Sequence, residues 1–123
     1  MASVTLLRPS RHTVLRSFAG HLENSPVDVF PALLSRLEAL DGVDADHLLT
    51  DEADRFAVVQ GDWWYRGEYR VRAEDASPDA GSVVEYEIVN VAPTWHWAGP
   101  LAGRGVIRSA PSDFQALLSE LAR

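Results

Sequence analysis

The chain has 123 residues, 46% of them hydrophobic and 24% charged, with a net charge of −7 and no cysteine. That length fits one domain, 1–123, with a sizeable core. The missing cysteines exclude disulfides, thiolate metal sites and cysteine nucleophiles, and the acidic balance argues against binding a nucleic-acid backbone. No basic-then-apolar leader opens the sequence and no run approaches the ~18 apolar residues of a membrane span, so a cytoplasmic protein is expected.

Residues 1–10, ending in Arg8-Pro9-Ser10, read as a loose N-terminal lead-in. His12 to Leu22 reads as a strand with imperfect alternation: Val14, Arg16, Phe18, Gly20 and Leu22 share one face, Leu15, Ser17, Ala19 and His21 the other. Such a pattern fits a strand covered on both sides or a bent one. A helix then starts at Ser25-Pro26-Val27-Asp28, with Ser25 as cap, Pro26 in the first turn and Asp28 near the positive end. Val27, Phe30, Leu33, Leu34, Leu37 and Leu40 give it an apolar stripe. Pro31 inside the stripe predicts a kink, or two short helices meeting there, and Asp41-Gly42 should end the segment.

The acidic stretch 43–55 predicts a short strand near 46–50, and Phe56–Gln60 a clearer one. Gly61-Asp62 then turns the chain into a long hairpin. Trp63, Tyr65, Gly67, Tyr69 and Val71 alternate with Trp64, Arg66, Glu68, Arg70 and Arg72; Val84, Tyr86, Ile88 and Asn90 alternate with Val83, Glu85, Glu87 and Val89. One face should therefore be an aromatic inner wall and the other a charged, solvent-facing one. Opposing Arg72 to Glu85 and Arg70 to Glu87 would form two cross-strand ion pairs and set Tyr69 beside Ile88. Pro93 stops the last strand, and Trp95-His96-Trp97 follow on a connection expected to pack under the final helix. Residues 101–108 are hard to read because Gly103 and Gly105 weaken a helix. Beyond Ser109 or Ser112 as cap, Phe114, Leu117, Leu118 and Leu121 make a C-terminal amphipathic helix.

The run Ala19-Gly20-His21-Leu22-Glu23-Asn24-Ser25-Pro26-Val27-Asp28-Val29-Phe30, with Trp63–Tyr69 and Asn90-Val91-Ala92-Pro93, resembles short bacterial members of the SRPBCC or START-like superfamily. Relatives in that superfamily include the birch-pollen allergens and the aromatic polyketide cyclases. The resemblance implies an α+β helix-grip fold: a curved antiparallel sheet, here of about five strands where the family usually has seven, packed on the C-terminal helix, with a short broken helix after the first strand. It also implies a cavity for an apolar small molecule, and none of the resembling motifs is catalytic.

Trp63, Tyr65, Tyr69 and Tyr86 are the candidate ligand wall, or else plain core. Asn90 on the same face orients a ligand or caps backbone at the strand end. His21 is the candidate acid or base, or a structural histidine. Arg16 either holds an anionic group or reaches solvent. His12, His47 and His96 lack metal-ligand spacing, the acidic cluster around Asp44 to Asp54 lacks calcium-loop spacing, and no motif implies a cofactor. Two functions follow. The first is binding of an apolar or aromatic small molecule, with a cyclase-like enzyme as its catalytic version. The second is a filled-core interaction or structural domain that self-associates, for instance as a homodimer, or binds a protein partner.

Overall fold

A computed structural model describes residues 4–40, 43–44 and 46–123. It is an α+β arrangement in which β1 (Thr13–Leu22), α1 (Pro26–Glu38), β2 (Leu48–Asp51), β3 (Phe56–Gln60), β4 (Tyr65–Ala73) and β5 (Ser82–Asn90) precede a single 3-10 turn, His96–Ala98, and the helices α2 (Gly99–Ala102) and α3 (Arg104–Leu121). The five strands form one antiparallel sheet in the order β1-β5-β4-β3-β2. α1 and α3 cover one face, and the core lies between: Val29, Phe30, Leu33 and Leu37 of α1 and Ala110, Phe114 and Leu121 of α3 meet Val71, Val84, Tyr86 and Ile88 of the sheet.

The hairpin pairs two residues away from the expected register. Arg70 faces Glu85, Tyr69 faces Tyr86 and Tyr65 faces Asn90; Arg72 reaches Glu85 only diagonally, at 3.3 Å. Because side chains alternate with period two, an error of two residues keeps every residue on its expected face and changes only its neighbour. Glu68 lies directly opposite Glu87, a repulsive pair that must be compensated.

The compensation comes from the segment read as loose. Arg8 donates to both Glu68, at 2.7 Å, and Glu87, at 2.9 Å. Arg66 is wholly buried; its guanidinium donates to the carbonyls of Thr5 and Leu6, to Gln60 Oε1 and to Glu68. Residues 5–8 are thus a strap across the middle of the outer face, which is closed there rather than solvent-facing. An arginine's fan of donors suits this task, since it satisfies strap carbonyls that no strand pairs with.

α1 is a single helix despite Pro31, so no break occurs. Pro31 is the sixth helical residue and forfeits one bond, while the buried stripe behind it holds the helix to the sheet. Ser25 occupies the cap position, but its hydroxyl donates to the Asp28 carboxylate and its carbonyl accepts from the amides of Asp28 and Val29. Asp41-Gly42 falls outside the described residues. β1 bulges between Val14 and Arg16, which carries Leu15 onto the core and leaves Arg16 exposed, its guanidinium donating to the Leu15 carbonyl.

α3 begins at Arg104, well before the expected caps; Ser109 and Ser112 lie inside it, bonded to neighbouring turns. Val106 and Ala110 extend the Phe114–Leu117–Leu121 stripe back by two turns, which outweighs Gly105. Gly103 marks the start because the Trp64 indole lies where a side chain would project.

Candidate functional site

On the helix side of the sheet a cleft of about 370 Å³ opens between α1 and α3. Its floor is Tyr65, Tyr69 and Tyr86; Leu37 and Leu40 form one wall, and Val106, Ala110, Phe114 and Leu117 the other. Strand geometry brings the tyrosines together. Tyr65 and Tyr69 lie four apart on one face, Tyr86 is directly across from Tyr69, and Gly67 between them has no side chain where the Tyr65 hydroxyl passes over. Tyr69 and Tyr86 stack at 4.5 Å between centroids, and Tyr86 also stacks on Phe18 and Phe114 at 5.8 and 6.0 Å. These are ordinary attractive ring distances, so the floor is rigid.

The Tyr65 and Tyr86 hydroxyls share a hydrogen bond of 2.6 Å. One of them donates, so the other keeps a proton outside that bond, which the neighbouring Tyr69 hydroxyl or an acceptor in the cleft can take. Burial raises the pKa of all three phenols, and interactions within the trio add to it for Tyr65 and Tyr69. The phenols therefore stay protonated at neutral pH. Asp113 at the rim accepts from Ser109 at 2.9 Å, and its charge further disfavours ionisation of Tyr69 and Tyr86. An Arg36–Glu120 ion pair joins the two helices at the same rim. The cleft can desolvate an apolar ring or chain and offer it a hydrogen-bond donor. Its titratable lining consists of the three phenols, Arg36, Asp113 and Glu120.

Three of the six sequence-predicted site residues meet there: Tyr65, Tyr69 and Tyr86. Trp63 does not; it precedes β4, where alternation no longer governs direction, and its indole donates to the Thr94 carbonyl at 3.1 Å. Asn90 is buried but fully used as a backbone cap, donating to the His96 carbonyl at 2.7 Å and accepting from the Ala92 amide at 3.1 Å. His21 is on the outer face with Glu85 and Glu87, half exposed and ion-paired with Glu74. Arg36, Asp113 and Glu120 were not foreseen. The available signal was their position beside or one turn from the stripe residues Leu37, Phe114 and Leu117.

A larger depression of about 730 Å³ lies on the outer face, but Arg8, Glu68, Arg70, Glu85 and Glu87 line it. Glu68 belongs to the strap network: burial would raise its pKa, yet hydrogen bonds and charge from Arg8 and Arg66 pull it below the usual glutamate value. Among the described residues no group of three His, Asp or Glu side chains could hold a metal ion, and no helix is long and apolar enough to cross a membrane. No protein-family model matches the chain, and no curated protein matches it.

Proposed function

We propose that this protein binds an apolar or aromatic small molecule carrying a hydrogen-bond acceptor, held in the cleft between the sheet and α3 in a helix-grip arrangement. The observation that carries this reading is the pairing of an apolar wall with phenols kept protonated on its floor. The Tyr65 and Tyr86 hydroxyls bond each other, but the cleft borders all three rings, which a filled core would leave without open space. Its volume lies at the lower end of small-molecule sites, roughly 300–1,000 Å³, which suits a ligand of one or two rings. The acceptor is uncharged, because Arg36 at the rim is taken up by Glu120 and the remaining charge there, Asp113, repels an anion. The activity proposed is binding; a cyclase-like version would have to move protons with these phenols and rim carboxylates, because His21 is across the sheet.

Titration with the neutral fluorophore N-phenyl-1-naphthylamine tests this. The wild type should bind it saturably, one per chain. Ala116→Trp, at an exposed residue of the cleft wall, should abolish that binding without loss of fold, while His21→Ala should leave it intact. Equal binding by wild type and Ala116→Trp would remove the cleft from the account.

A further inference from the structure

The charge of this chain is strongly uneven. Residues 9–22 and 88–112 contain Arg11, Arg16, Arg104 and Arg108 but none of the eighteen acidic residues. The antiparallel order brings the start of the first segment against the start of the second, Thr13 against Asn90, at one end of the sheet. There Arg16, Arg104 and Arg108 line one groove with Leu15, Pro100 and Ile107, and all three arginines are exposed.

The same end carries the most exposed aromatic residues of the protein. Trp95 is 73% exposed, Trp97 71% and Leu101 60%, the reverse of the expected packing under α3. Their connection is not slack. His96 is fixed by Thr13 at 2.9 Å and by the Ala92 carbonyl at 2.9 Å, and its own carbonyl accepts from Asn90. Trp95 stands at φ 52°, a left-handed conformation that a bulky residue adopts only when its surroundings impose it. A well-anchored turn thus displays two indoles to solvent beside three arginines.

We infer that this end docks onto the surface of an anionic lipid bilayer. Tryptophan is the residue that settles at the headgroup level, Leu101 reaches the acyl boundary, and the arginines meet lipid phosphates. The exposed aliphatic side chain of Leu101 favours hydrocarbon over nucleic-acid bases, which would use the indoles alone.

The test is sedimentation of the full chain with phosphatidylcholine vesicles with and without phosphatidylglycerol, read together with tryptophan emission. Wild type should pellet with the anionic vesicles at low salt, with a blue shift, and be released by high salt. Arg104→Ser with Arg108→Ser should weaken binding by about fivefold for each arginine removed. Trp95→Gly with Trp97→Ala should abolish the blue shift and most of the binding, with no fall in the urea midpoint for either exposed pair, since glycine accepts the left-handed conformation at 95. Failure of the wild type to bind anionic vesicles, or equal binding by the wild type and both variants, would overturn the assignment. So would tighter binding of a single-stranded oligonucleotide than of the vesicles.

Discussion

The two faces of the sheet are built from the same two strands and closed in opposite ways. On the helix side, Tyr65, Tyr69 and Tyr86 are covered by apolar residues of α1 and α3 and leave a cleft. On the outer side, Arg66, Glu68 and Glu87 are closed by a short strap that satisfies them with charges and backbone carbonyls. Apolar closure is non-directional and tolerates a gap, whereas a buried charge tolerates none. That difference makes the outer face depend on exact charge pairing and the helix side on apolar fit.

The comparison breaks first at Arg66. Removing one member of a buried ion network strands the others, so Arg66→Ala should lose about 3–5 kcal/mol in urea unfolding. The same network has a pH signature. Glu68 has a lowered folded pKa, so its contribution is present above the unfolded glutamate value and is lost as pH falls through the folded one. Hydrogen exchange at residues 5–8 should accordingly rise in acid before exchange at the Tyr69–Tyr86 ladder does. Simultaneous release of both would deny the strap its separate role.

On the helix side the sensitivity is to shape. Gly103→Ala drives a methyl into Trp64 and should cost about 1–3 kcal/mol, read as a lower urea midpoint. Tyr65→Phe removes the shared hydroxyl bond and should cost about 1 kcal/mol, read as a lower urea midpoint. Gly105→Ala, two residues from Gly103 with open space around it, should instead stabilise α3 by about 0.5–1 kcal/mol. Opposite signs at Gly103 and Gly105 would show that contact with Trp64 decides the outcome rather than helix propensity.

Period-two alternation made the wall of tyrosines legible, and helical spacing revealed both covering stripes. Face assignment survived a register error because that error was even. The strap was not legible. Arg66 and Glu68 look like any solvent-side charged pair until the chain sixty residues upstream is known to cross them, and no local pattern carries that distance. Pro31 suggests a kink or a junction of two helices, and Gly103 and Gly105 make 101–108 ambiguous; packing carries one helix through Pro31 and another through Gly105. Trp63 failed as a wall residue because alternation was extended past the end of the strand, and Asn90 because a buried amide serves a backbone as well as a ligand.

The central claim is that the helix-side cleft receives a ligand while the charged depression of the outer face, bordered by the strap network, does not. Amide chemical-shift mapping by NMR during titration with N-phenyl-1-naphthylamine tests it most directly. The account predicts saturable shifts confined to residues around Tyr65–Tyr69, Tyr86, Leu37 and 106–117, with 5–8 and the Arg66–Glu68 strap contacts undisturbed. Shifts centred on the strap and outer face, or no saturable shifts at all, would contradict it.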